Sequence, residues 1–287
     1  MPATNGMSVS TRPQQAVMPH CWQRWAAPPG LDRRRKGRNG RGMMLPIRDH
    51  NPSEATPYVT LTLIGVNVLV YVWGLATLQT DLQINRFYFN YALIPVLLSE
   101  GQNAAALVTS IFLHGGFMHL AGNMLFLWIF GDNLEDEMGH LPFLAFYLAC
   151  GIGASLAQFL GDPTSQVPMV GASGAIAGVM GGYLLLFPKA RVDIFIFLII
   201  FFRLLPIPAW ILLGLWFGLQ ILGGLSVDTS AGGVAYWAHA GGFVMGLALT
   251  VPVWIRRGAR GYWQRTEGRP PHPEARYRRS SVPIVRR

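Results

Sequence analysis

The chain has 287 residues, of which 51% are hydrophobic and 13% charged, with a formal net charge of +9. Soluble domains carry nearer a quarter charged residues, so this composition excludes an ordinary soluble fold. The basic charge does not argue for nucleic acid, because it is segregated: nine of 23 Lys and Arg lie in residues 1–48, ten in 256–287, and only Arg86, Lys189, Arg191 and Arg203 between them. Basic residues flanking apolar spans are explained by the positive-inside bias and by anionic headgroups.

Residues 1–50 are rich in Pro, Gly, Gln and Arg, include the run Arg33-Arg34-Arg35-Lys36 and show no periodicity. They read as a disordered basic tail. Met43-Met44, just before Leu45-Pro46-Ile47-Arg48, reads as a natural chain start, to be checked by intact mass. Residues 51–255 read as the membrane domain, and 256–287 as a second basic tail without a core-forming pattern. Two cysteines, Cys21 and Cys150, make no disulfide framework.

Within the apolar region six spans of roughly 20 residues are expected, which makes the chain an all-α polytopic membrane protein. They run from Tyr58 to about Ala76, His119 to Phe130, Leu141 to Leu160, Val170 to Phe187, Pro208 to Leu225 and Val234 to Trp254. Residues 77–103, with Asp81, Arg86 and the aromatics Phe87, Tyr88, Phe89 and Tyr91, suit short helices in the membrane interface. Asp132, Glu135, Asp136 and Glu137 read as a solvent-facing loop. Asp193 to Phe202 is β-branched and too short to span after its aspartate, so a half-inserted or extended piece is expected. An even span count puts both basic tails, Lys189, Arg191 and Arg203 on one side, the cytoplasmic side by charge. A bacterial inner membrane is the expected location.

This topology brings three polar residues level. His119, Ser173 and His239 each fall near the outer end of their spans. Ser173 is flanked by Gly171, Ala172 and Gly174, which leave its hydroxyl open to approach. Gly174, Gly178 and Gly182 form a ridge four residues apart, as do Ala238, Gly242 and Gly246 beside His239. Small residues at this spacing let helix backbones approach closely. If the ridges face each other, Ser173 and His239 meet at the end of the packed pair, within reach of proton transfer. Helix packing alone would also explain the ridges. Intramembrane histidines, however, are costly and mark function or a buried network. His119 and Asn123, four apart on one helix face, can donate to an oxyanion together with the Ser173 amide at a helix start. His114 is expected to hold its loop by hydrogen bonding. A metal site is disfavoured, since no Cys accompanies the histidines and no His-Glu-x-x-His spacing occurs. The Gly-Ala-Ser-Gly stretch lacks the strand-turn-helix context of a soluble hydrolase elbow, and no carboxylate lies near His239, so a Ser–His dyad is the economical arrangement.

These motifs, His114 with His119-Leu120-Ala121-Gly122-Asn123, Gly171-Ala172-Ser173-Gly174 with Gly178, and Ala238-His239-Ala240-Gly241-Gly242 with Gly246, resemble the rhomboid family of intramembrane serine proteases over about Leu45–Trp254. The resemblance implies a rhomboid-like six-helix bundle, Ser173 as nucleophile, His239 as base, and His119, Asn123 and the Ser173 amide as oxyanion hole. It also implies membrane-protein substrates cleaved near the outer face, a gating role for the fifth span, and no metal, nucleotide or other cofactor. Two positions depart from the family pattern. Ala177 replaces an aromatic that stacks on the histidine, so Tyr236 or Trp237 is expected to hold the ring, and Arg86-Phe87 stands where many members have Trp-Arg. A silent relative that binds or escorts membrane proteins, and a proton-coupled transporter, are the competing readings. Loss of cleavage in Ser173→Ala discriminates against both.

Overall fold

A computed structural model describes residues 43–49, 53, 55–198, 201–226 and 233–271. The Arg33–Lys36 run, Cys21, Asp228 and residues 1–42 and 272–287 of the two tails lie outside these. The fold is a helical membrane bundle. Its helices are α1 (Tyr58–Thr77), α2 (Asp81–Tyr91), α3 (Pro95–Ser99), α4 (Ala106–Thr109), α5 (Phe117–Met138), α6 (His140–Gly161), α7 (Ser173–Leu186), α8 (Ala209–Ser226), α9 (Tyr236–Arg256) and α10 (Arg260–Thr266). Four of them, α1, α6, α8 and α9, are individually long and apolar enough to cross a membrane, and a fifth span results if the pair 106–112 and α5, bent by 95°, is counted as one. The remaining apolar helix, α7, has 14 residues and is about 21 Å long.

α7 is the hub. It is apolar on every side, and residues Gly174 to Tyr183 are all buried, as expected of a helix enclosed by others. It packs most extensively on α9, and also on α6 and α5. The two glycine ridges do face each other: a β-carbon at Gly246 would strike the Gly178 backbone, and one at Gly242 the Gly174 carbonyl. Apolar burial drives association weakly in lipid, so this backbone contact and the dispersion it allows hold the pair together.

Residues 77–103 contain two short helices, α2 and α3. α2 starts with a capping box in which Thr80 and Gln83 satisfy each other's backbone amides, and α3 starts at Pro95, whose missing N–H costs nothing there.

Three features differ from the sequence reading. First, residues 43–49 are not tail but strand β1 (Met43–Asp49), which pairs antiparallel with β2 (Arg191–Leu198), itself hairpinned to β3 (Phe201–Pro208). The Asp193–Phe202 piece is thus extended, and the prolines Pro46, Pro206 and Pro208 sit on the two edge strands, where a missing donor is tolerated. Second, the chain does not stop folding at Arg256. α10 seats Tyr262 at 4% exposure in the core and Trp263 against Trp254, ring centroids 4.9 Å apart. Third, the acidic stretch after Gly131 is not a loop. It forms the last turns of α5, with Glu135 1% and Glu137 9% exposed.

The acidic turns stay helical because each buried carboxylate has partners that sequence proximity could not reveal. Glu135 accepts from the Val59 and Thr60 amides, both at 2.8 Å, and contacts His140 Nδ1 at 2.6 Å. α1 begins after Pro57 with no side-chain cap of its own, so Glu135 supplies the anion that a helix N-terminus favours. Glu137 pairs with Arg257 Nε at 2.9 Å and accepts from the Tyr262 hydroxyl at 2.9 Å. Burial, reinforced by the Glu137 carboxylate, pushes the Tyr262 phenol well above its ordinary range.

Candidate active site

Ser173 is the first residue of α7, and His239 lies in the first turn of α9. Because the glycine ridges bring these helices into backbone contact, Ser173 Oγ and His239 Nε2 stand 2.8 Å apart. The residues are 66 positions apart in sequence. The opposite ring nitrogen, Nδ1, is 2.9 Å from Gln220 Oε1 on α8. An amide oxygen only accepts, so Nδ1 carries the proton and Nε2 is left to accept from the serine. The Gln220 amide NH2 is turned toward the Trp216 carbonyl, 3.4 Å away on its own helix, which keeps the oxygen facing the imidazole.

The ring is flanked by Trp216, with centroids 5.8 Å apart and planes at 34°, and Trp216 in turn packs on Phe243. The aromatic support missing at Ala177 is therefore supplied from α8, and not by the expected Tyr236 or Trp237. Those two residues fill the glycine notches of Gly223, Gly224 and Gly161 instead. In the sequence Gln220 is a lone polar side chain in the apolar span from Pro208 to Leu225. Its signal was that isolation, since a lone amide in a span seeks a partner.

Gly171 is required twice. Its φ of +129° lies where side chains are disfavoured, and the place its β-carbon would take is 2.7 Å from His119 Nε2 and 3.6 Å from Ser173 Oγ. The absent side chain leaves a gap with the serine on one side and the imidazole on the other. The segment ahead of Ser173 is held by the Gly171 amide to the Ser110 carbonyl, 2.9 Å, and by a bridge between Leu93 and Met169.

Asn123, one turn along α5 from His119, is 7% exposed, and its Nδ2 has no hydrogen-bond partner. An unpaired buried amide is costly, so its donors are available to a ligand. His114 is 5% exposed and meets the His119 ring edge-on at 5.1 Å. Neither of its ring nitrogens completes a well-formed hydrogen bond, although the Phe112 backbone acts on the ring. Its own carbonyl accepts from the Tyr88 hydroxyl at 3.2 Å, tying α2 to this loop.

Ser173, His239, His119 and Gly171 open on a cavity of about 320 Å³ that extends past Ser155 and Gln158 of α6 to Asp162. Among the described residues no cluster of His, Cys, Asp or Glu is arranged to hold a metal ion.

Known sequences give the family. The profile of the Rhomboid domain family matches residues 101–256, more than half of the chain and all of α5 to α9. The chain belongs to the rhomboid family. It is 32% identical over 197 residues to "Rhomboid protein 1, mitochondrial" of Saccharomyces cerevisiae, covering 64% of this chain and 50% of the relative. It is 47% identical over 78 residues to "Rhomboid protease GluP" of Bacillus subtilis, 27% of this chain and 15% of the relative. To "Presenilin-associated rhomboid-like protein, mitochondrial" of Homo sapiens it is 30% identical over 135 residues, 46% of this chain and 34% of the relative. The matched stretch thus spans half or less of each of these relatives.

Proposed function

We propose that this rhomboid is an intramembrane serine endopeptidase that cleaves membrane-protein substrates with a Ser173–His239 dyad. The observation that carries this reading is the 2.8 Å approach of Ser173 Oγ to His239 Nε2, with the tautomer set by Gln220. In the reaction, Ser173 Oγ attacks the scissile carbonyl carbon as its proton passes to His239 Nε2. The oxyanion forms in the gap above Gly171, where His119 Nε2, Asn123 Nδ2 and the Ser173 amide donate to it. His239 returns the proton to the leaving nitrogen as the C–N bond breaks. A water then attacks the acyl ester, with His239 again as base, and Ser173 is restored. No cofactor enters these steps.

The reading extends to topology. We infer six crossings, with α7 as the fourth and the bent 106–112/α5 pair as the second, and both chain ends on the cytoplasmic face of a bacterial inner membrane. At about 21 Å, α7 falls short of a hydrocarbon core of about 30 Å. With its Leu186 end level with the basic face, Ser173 therefore sits within the bilayer, and a substrate helix has to unwind to reach it. His114 and the ridge glycines Gly174, Gly178, Gly182, Gly242 and Gly246 are assigned structural roles.

The test is cleavage of a single-span reporter by the purified protein in lipid, compared across wild type, Ser173→Ala and His239→Ala. Wild type is expected to cut, and both variants to fall at least about 10⁴-fold, with fluorophosphonate labelling lost in Ser173→Ala and sharply reduced in His239→Ala, which lacks the base. A wild-type protein that neither cuts several reporters nor takes the label would overturn the protease reading.

A further inference from the structure

A second cavity, about 690 Å³, lies between α5, α6 and α9 at the end of the bundle opposite Ser173. One wall is α6, where Pro142, Ala145 and Ala149 present little side chain beside the buried Phe146 ring, and the other lining is Leu249 and Val253 of α9 with Met138 of α5. Pro142 to Ala149 and Leu249 to Arg256 each advance seven positions, about 10 Å along a helix. The cleft is therefore an apolar trough about two helical turns deep, and its exposed rim residues Pro142, Ala145 and Leu249 place it on the outside of the bundle.

Its mouth is charged, by Arg256, Arg257 and Glu137. The Glu137 carboxylate is already taken by Arg257 Nε and the Tyr262 hydroxyl. Arg256 is exposed, and its Nε has only the Pro252 carbonyl of its own helix, at 3.4 Å. No carboxylate lies within ion-pair distance of it among the described residues. Arg265 stands behind Arg257, its guanidinium donating to the Arg257 carbonyl at 2.7 Å. The mouth therefore carries net positive charge at one end of an apolar trough on the outside of the bundle.

We propose that this cleft binds an anionic phospholipid, with its phosphate on Arg256 beside the Arg257–Glu137 pair and one acyl chain between α6 and α9. Charge complementarity selects the headgroup, and the shallow Ala145/Ala149 wall admits the chain where bulkier residues would close the groove. A basic pocket between spans next to anionic headgroups is the setting in which such lipids are held specifically. The proposal does not depend on protease activity.

The experiment is native mass spectrometry of the full chain, delipidated in detergent and titrated with phosphatidylglycerol or phosphatidylcholine. Wild type is expected to retain one phosphatidylglycerol in preference to phosphatidylcholine. Arg256→Gln should weaken phosphatidylglycerol about fivefold, the equivalent of roughly 1 kcal/mol per basic residue at the surface, and leave phosphatidylcholine unchanged. Ala149→Phe, which fills the trough, should abolish the retained lipid. Inorganic phosphate at matched ionic strength should not displace it. Equal retention of both lipids, or undiminished retention in Ala149→Phe with its helicity intact, would mean ordinary annular lipid and overturn the proposal. Displacement by inorganic phosphate would overturn the acyl part of the site.

Discussion

Around Ser173 the α7 and α9 backbones touch, and polar side chains stand beside a cavity with donors to spare. Around Glu135 and Glu137 at the other end, carboxylates are also buried, yet they are engaged by amides, His140, Arg257 and Tyr262. Both ends bury polarity in an apolar setting, where an unsatisfied group costs several kcal/mol. At the carboxylate end the cost is met by partners, and the result is an anchor that joins α1, α5, α9 and α10. At the serine end Asn123 Nδ2 is left without a partner. Open hydrogen-bonding capacity beside a cavity is what a site for a transient oxyanion requires, whereas a structural network leaves none.

The contrast can be broken most severely at the ridge. Gly246→Leu would drive a side chain into the Gly178 backbone, and the expected outcome is loss of folded protein, seen as aggregation in size-exclusion chromatography. The same substitution at Gly65 of α1, where a β-carbon meets nothing within 4 Å, should be harmless.

Asn123→Ala separates the two ends next. It removes an uncommitted donor, so cleavage should fall about 10²–10³-fold, roughly 3–4 kcal/mol of transition-state stabilisation, with thermal stability unchanged or slightly raised. A large drop in stability would instead make Asn123 a structural residue.

Gln220 gives a finer test. Gln220→Leu suits an apolar span and should fold, yet lower the turnover rate about tenfold as His239 loses its tautomer preference. Gln220→Glu sets a carboxylate against the imidazole and stabilises its charged form. The base must be neutral to act, so the acid limb of the pH–rate profile should move to higher pH. An unmoved profile would make the 2.9 Å contact incidental.

The smallest effect belongs at the anchored end. Glu135→Gln keeps the shape but weakens the charge-assisted bonds to the α1 amides. Unfolding should become easier by about 1–3 kcal/mol, read as a lower midpoint in thermal denaturation, with cleavage per folded molecule unchanged. Altered activity without altered stability would show that the two ends are coupled.

Much of this arrangement was legible in the chain before any coordinates. Hydropathy located the long helices to within a few residues at most ends, because apolar length is a local property that the bilayer reads directly. The four-residue spacing of Gly174, Gly178 and Gly182 and of Ala238, Gly242 and Gly246 announced which helix faces would meet, since side-chain volume at that period decides how near two backbones come. Ser173, His239 and His119 stood out as polar residues near the same ends of their spans, and Asn123 as the polar residue one turn along from His119.

What only the tertiary structure decided was partnership across helices. Gln220 and Trp216 serve His239 because of how α8 is rotated against α9, which no spacing encodes. Glu135 and Glu137 are helical and buried because their partners arrive from 75 and 125 positions away. β1 is a strand because β2 offers it an edge. Helix formation in lipid follows from local sequence, as each backbone must satisfy itself within its own span. The choice of partner for a buried polar side chain depends on the tilt, rotation and depth of separate elements, and those are set only when the elements pack.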